Sequence, residues 1–506
     1  MPDAAAFDAP ARLPNLSVGP AWAARQAVTI AGVAALLAAT VGAAGLLHPN
    51  TSFAFIIAGA LAMALAIAAI EERGHRSLSL NLFLWALVGR VVVVTVCFLA
   101  AAREGGPFLG ADATEYFSGG LELAANAFHL PSPAVMFFGS YDVGQYYLFA
   151  VMIRYLHADL FGLQVMNCAF TALAAPLTYA IARDVVPRWA AALGVVVALS
   201  PSLIGLSAID LLKDPSIVFA LLAFVWLLMR LRTAGDAVWA AGLAVVGCCL
   251  ALYLRTSRFY VFAYVEAAFV MTMIVMVRTR TRAFAKPQAL VLAVLVFLVV
   301  EIAPTRALWP TSPVMFVAMS GHTLNTAGMR WSSTGFLQRR IPGLARLPHA
   351  PAATPNHGML MLGIDMVRRV FGPFPWILPR TWTFATLQEG QYYLFPGMLI
   401  WYAALPFAAL GFALSGFAML RGAEHRFAVL LLWWFAALYF AQYLLINLSF
   451  RQREAAMPIL LIFAAQGIER YAPDWRRLPR WYRRYWLALI VVAILHVTVR
   501  AILHAS

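Results

Sequence analysis

Residues 80–102 read LNLFLWALVGRVVVVTVCFLAAA, and this stretch decides the fold. Its one charged residue is Arg90, and its length matches the roughly 20 apolar residues that a helix needs to cross the hydrocarbon core of a bilayer. The apolar residues are continuous rather than alternating, which excludes a strand of a membrane barrel. A helix satisfies its backbone polar groups within its own segment, so it is the form such a run takes in lipid. Similar runs centre on 24–47, 51–70, 159–182, 189–207, 215–231, 237–254, 259–277, 287–303, 392–418, 427–447, 455–469 and 485–503, giving about thirteen spans in all. The fold class is therefore an all-α polytopic membrane protein. Of the 506 residues 63% are apolar and 12% charged, a composition that no soluble domain could hide from water. The polar start, residues 1–20, followed by a run long enough to span, reads as a tail and a first helix rather than a cleaved leader.

Working outward from 80–102, the short connections show a charge bias. Arg73, Arg76, Arg183, Arg188, Arg230, Arg232, Arg278, Arg280, Arg282, Lys286, Arg421 and Arg426 all fall on the side that also holds the N-terminus. By the positive-inside rule that side is cytoplasmic. The net charge of +15 is then read as topology and attraction to membrane lipids, not as a nucleic-acid surface. Cys97, Cys168, Cys248 and Cys249 lie inside apolar runs with no metal or disulfide spacing, so they read as small packing residues. Four regions follow: 1–79, a tail and two helices; 80–303, a helical core with an outer loop at 103–158; 304–391, a long outer loop; and 392–506, the C-terminal helices. In the long loop, residues 358–376 suit an interfacial helix with Arg368 and Arg369, and 343–358 reads as a Pro/Ala-rich connection.

Polar residues gather on the outer side. GADATEYFSGG, residues 110–120, places Asp112, Glu115 and Tyr116 just beyond the 80–102 run. AIDLLKDP, residues 208–215, places Asp210, Lys213 and Asp214 at a spacing that would share one face if helical. Asp214 before Pro215 equally has the form of an N-cap with proline at the first helical position. ALYLRTSRFY, residues 251–260, puts Arg255 and Arg258 in an outer turn, and SFRQRE, residues 449–454, does the same for Arg451 and Arg453. Arginines there can anchor lipid head groups, or clamp a phosphate with their paired donors. LQEGQYY, residues 387–393, is a further outer polar group. Two ionisable residues fall within spans, Arg90 and Glu266, and the structural account is a mutual ion pair or a snorkelling Arg90. His322, His349 and His357 show no metal-ligand spacing, and no phosphate-binding glycine loop is present.

Three of these stretches carry a resemblance. They are DATEYFSGGLELAANAF (112–128) with the two spans after it, LLKDPSIVFALLAF (211–224) with ALYLRTSRFY, and FRQREAAMPILLIFAAQGIERY (450–471). In order and topology they resemble the GT-C membrane glycosyltransferases, in particular the bacterial protein mannosyltransferases and the aminoarabinose transferase of lipid A. Coverage is best over 110–260 and 448–470. Two spans precede the helix that leads into the acidic loop, where the family usually has one. The acids are spaced Asp112-x-x-Glu115, where many members have them adjacent. The resemblance implies a GT-C-like bundle of about 11–13 helices in a bacterial inner membrane, with an extracytoplasmic active site. It implies a polyprenyl-phosphate-linked sugar as donor and a glycan, lipid or protein as acceptor. Asp112 takes the place of the catalytic base. Glu115, Tyr116 and Asp214 are expected at the substrate, and Lys213, Arg255, Arg258, Arg451 and Arg453 around the donor phosphate. No cofactor is assigned: an acidic loop can hold a divalent metal, but no ligand set supports one. The other readings of the same residues are a transporter or flippase of polyprenyl-linked saccharide, and an envelope polysaccharide polymerase or ligase.

Overall fold

The computed structural model describes residues 20–46, 52–106, 109–128, 143–302, 370–372, 374–376, 383–389, 391–424, 426–445, 450–473 and 478–505. The tail before residue 20, the three loop histidines, Arg368, Arg369 and the connection 343–358 lie outside them. The helices are α1 (Pro20–Ala43), α2 (Ser52–Ile70), α3 (Arg73–Arg103), α4 (Ala111–Ala125), α5 (Val143–Leu156), α6 (Leu160–Val185), α7 (Ala190–Ala198), α8 (Pro201–Ala208), α9 (Asp214–Thr233), α10 (Ala237–Arg278), α11 (Pro287–Ile302), α12 (Phe384–Glu389), α13 (Met398–Leu420), α14 (Phe427–Leu445), α15 (Arg451–Glu454), α16 (Met457–Tyr471) and α17 (Arg480–Ala505). Among the described residues ten helical stretches are long and apolar enough to cross a membrane, and shorter apolar helices cover 287–302 and 427–443. Over the described residues each run read from the sequence is helical, apart from a break before Pro201, and the chain is an all-α multi-pass membrane protein.

The centre of the bundle is α6 and α9, buried along almost their whole lengths. Local chemistry sets their ends. Asp159 caps α6 by accepting from Gly162 N at 2.7 Å. Helix α9 opens with Asp214-Pro215, where a missing N–H costs nothing and a carboxylate suits the positive end of the helix dipole. It closes with Arg230 and Arg232, cations at the negative end. At the margin, α17 leaves Leu487, Ile490, Val492, Ile494 and Leu495 exposed, as lipid-facing side chains are. Helices α13 and α16 touch backbone to backbone. A Cβ on Gly411 would stand 1.9 Å from Phe463 O, and one on Gly467 would stand 2.1 Å from Phe407 O, so only glycine permits this approach.

One feature departs from the sequence expectations. Arg90 neither pairs with Glu266 nor snorkels. It is 0% exposed and donates to Thr171 Oγ1 (2.9 Å), Ala86 O (3.1 Å), Ala198 O (2.7 Å) and Val197 O (3.2 Å). The last two carbonyls lie at the end of α7, where the run 189–207 breaks before Pro201, and the guanidinium meets the negative end of the broken helix there. Helix α10 holds the two spans expected over 237–254 and 259–277, with Arg258 at the turn between them. Its start is capped by Asp236, three residues past α9, and beyond its end Ala285 N donates to Arg232 O at 2.9 Å. Both ends of α10 therefore lie beside the last turn of α9, so the helix doubles back at its one non-helical residue, Arg258 (φ −159°, ψ 72°).

Candidate functional site

The reversal in α10 carries Arg258 to the first turn of α9. There its Nη2 lies 2.7 Å from Asp214 Oδ1, and both side chains are almost completely buried. From α15, Arg451 Nη2 donates to Asp112 Oδ2 in the first turn of α4, and Arg451 Nε lies 3.5 Å from Asp214 Oδ2. One guanidinium thus bridges two carboxylates that lie far from it in sequence. Arg258 Nη1 is a buried donor with no hydrogen-bond acceptor. Lys213, in the loop before α9, places Nζ 5.6 Å from the centre of the Tyr116 ring, which is buried beneath it.

These surroundings set the electrostatics. Burial, with Arg258 close by, holds the Lys213 amine well below its usual range. Burial pushes the Tyr116 hydroxyl well above its own. At Arg451 burial opposes the charge, but Asp214 and Asp112 outweigh it and the pKa rises, so this guanidinium is a fixed cation. The arrangement offers a reachable carboxylate, Asp112, with its side chain 26% exposed, beside fixed positive charge with an unused donor on Arg258.

The structure brings together Asp112, Tyr116, Lys213, Asp214, Arg258 and Arg451. Glu115 is turned toward α5, where Tyr146 donates to its Oε1 at 3.0 Å. Arg255, three residues from Arg258, points elsewhere: it reaches Glu301 at 3.1 Å and donates to Val300 O, at the end of α11. Arg453 is buried over the Trp401 ring at 4.4 Å and donates to Gly372 O at 2.7 Å. Asp210, Lys213 and Asp214 do not share a helix face. The chain leaves helix after Ala208, and Asp210 Oδ1 instead takes Leu211 N at 2.9 Å, a local bond that competes with helix. Nor does Asp214 cap α9. It is the first helical residue, and its carboxylate is held by arginines.

Sequence reasoning gave no role to Asp210, whose carboxyl contacts Gly110 across 100 residues, or to Gln388, whose Nε2 donates to Ile209 O at 2.9 Å. LQEGQYY was the only signal for the second. Among the described residues no three His, Cys, Asp or Glu side chains are placed to share a metal ion, so no residue set is assigned to one. The chain matches no protein-family model and no curated protein.

Proposed function

We propose that the protein is a membrane glycosyltransferase of GT-C type, which moves a sugar from a polyprenyl-phosphate donor to an acceptor hydroxyl at the extracytoplasmic face of a bacterial inner membrane. The observation that supports this reading most is the contact of Arg451 with both Asp112 and Asp214 beside Arg258, whose Nη1 donor is left over. A phosphate oxygen suits that donor, because guanidinium offers paired N–H groups to it. Phosphate arriving at Arg451 competes with Asp112 for the same guanidinium and so frees the carboxylate. Asp112 then takes the acceptor proton as the acceptor oxygen bonds to the anomeric carbon. The bond from that carbon to the phosphate oxygen breaks, and the polyprenyl phosphate leaves with the electron pair, facing Arg451 and Arg258. Anionic phosphate also favours the ammonium form of Lys213, which burial otherwise disfavours.

A flippase needs a path through the opposite end of the bundle. There Glu71, fully buried, is held by Arg183 at 2.8 Å, Arg230 at 3.3 Å and Trp226 Nε1 at 3.2 Å, an arrangement that favours a one-sided enzyme over alternating access. The test is mass spectrometry of envelope glycolipids and glycans from a deletion strain complemented with wild type or Asp112→Asn. The expected result is a sugar missing from one class of product in the deletion strain and in the variant, although the variant protein accumulates in the membrane. Full restoration by Asp112→Asn removes the base assignment. Movement of unaltered lipid between leaflets of reconstituted vesicles would replace the transferase reading with the flippase.

A further inference from the structure

Asp210 lies beside the cluster without joining its ion pairs. It is 4% exposed, and its Oδ1 accepts two backbone N–H groups, Leu211 N at 2.9 Å and Gly110 N at 3.4 Å. Gly110 is the residue that precedes α4, and it brings no side-chain cap of its own. Helix starts usually draw such a cap from the adjoining residue. Here the acceptor comes from a loop 100 residues further along the chain. The approach is close: a Cβ on Gly110 would stand 2.8 Å from Asp210 Oδ2, so any larger residue displaces the carboxyl. The loop that bears Asp210 is itself fixed. Gln388 Nε2 bonds Ile209 O (2.9 Å), Asn167 Nδ2 bonds Leu212 O (2.8 Å), and Ser216 Oγ bonds Lys213 O (2.6 Å). Helix α4 thus hangs from a rigid support, and Asp112 is its second residue.

We propose that Asp210 is a positioning residue: it fastens the first turn of α4 to the 209–213 loop and so sets where Asp112 meets Arg451. Its part in transfer rests on the function proposed above; its hold on α4 does not. The hold needs an acceptor oxygen at position 210 and not its charge, which separates Asp210 from a base or a cation partner. Asn at 210 keeps the oxygen, whereas Asn at 112 cannot take a proton.

The test uses the full chain in nanodiscs of phosphatidylethanolamine and phosphatidylglycerol. Amide hydrogen exchange is read over 109–118, with α6 and α9 as the control for intact fold, and the same variants complement the deletion strain. In Asp210→Ala and Gly110→Ala, exchange over 111–116 is expected to rise at least about tenfold while α6 and α9 are unchanged. Asp210→Asn is expected to stay within about threefold of wild type in exchange and in product. Asp112→Asn is expected to leave this exchange at the wild-type level and to yield no product. Wild-type exchange in both alanine variants would overturn the proposal. So would an Asp210→Asn variant as impaired as Asp210→Ala, since charge rather than position would then matter. If α6 and α9 loosen in Asp210→Ala, Gly110→Ala decides, because it keeps residue 210 unchanged and acts only at the contact with Gly110. If the deletion strain shows no envelope change, the transferase reading fails while the exchange results still decide the hold on α4.

Discussion

At its last turn α9 presents Arg230, and at its first Asp214, about 24 Å apart by helical rise. Each end meets buried charge of both signs. At the Arg230 end the partners are Glu71, Arg183 and Asp184, all at the ends of bundle helices or beside them, and Glu71 is 0% exposed. At the Asp214 end the partners include Asp112 and Arg451, which ride on the short helices α4 and α15 outside the spans. Both of those side chains keep some contact with solvent. The same residue types therefore serve two purposes, and the exposure of the central carboxylate separates them. Glu71, held by Arg183 and Arg230, is fully buried and ties helices together. Asp112, held by Arg451, is 26% exposed and stays reachable.

This contrast can be broken by substitution. The largest effect on chemistry is expected from Asp112→Asn, with transfer down by about 10²–10⁴-fold, the range lost with a general base, and thermal stability unchanged. Labelled product per mole of folded protein reads it. At the other end Glu71→Ala should do the reverse. Leaving Arg183 and Arg230 buried without their shared carboxylate costs about 3–5 kcal/mol, so detergent-solubilised protein should unfold at much lower temperature, while the surviving folded fraction keeps its turnover. Equal loss of turnover in both variants would erase the distinction.

Arg451→Ala is expected to raise the donor concentration needed for half-maximal rate by at least about tenfold, the scale of a lost charge-assisted contact. Arg255→Ala, paired with Glu301 away from the cluster, should change it by less than about threefold. A donor titration with both variants sharpens the assignment, and a larger effect at Arg255 would reverse it.

The smallest effect is a pH dependence at Asp210. Burial, partly offset by Arg451, raises its pKa to about 6 from 3.8. Asp112 and Tyr393 also face it. The folded state thus binds the proton more tightly than the unfolded chain. The unfavourable term is absent below about pH 4 and grows as pH rises through about 6. Asp210→Asn should flatten the fall in melting temperature between about pH 4 and pH 6. An unchanged slope would assign it to other groups.

The spans were legible because lipid demands long apolar runs, and runs such as 160–185 and 214–233 have almost nothing else in them. The break before Pro201 was hidden inside an apolar run, and Arg90 reaches its carbonyls from 107 and 108 residues away. Asp214-Pro215 gave a genuine helix-start signal, yet the carboxylate serves arginines rather than the helix. Arg255 and Arg258 look alike in LRTSRFY, and only the backbone break at Arg258 sends one to Asp214 and the other to Glu301. Local sequence records helix and turn. It does not record which distant group a long side chain will reach.

Arg451 lies 339 residues beyond Asp112, and that separation bears on biosynthesis. A ribosome that has delivered α4, α9 and the α10 hairpin has already made Asp112, Asp214 and Arg258, but not the guanidinium that joins the first two. Nascent or truncated chains ending before residue 451 insert most of the bundle and lack this bridge. The cluster is therefore among the last features the growing chain completes, and an incomplete product is left without it.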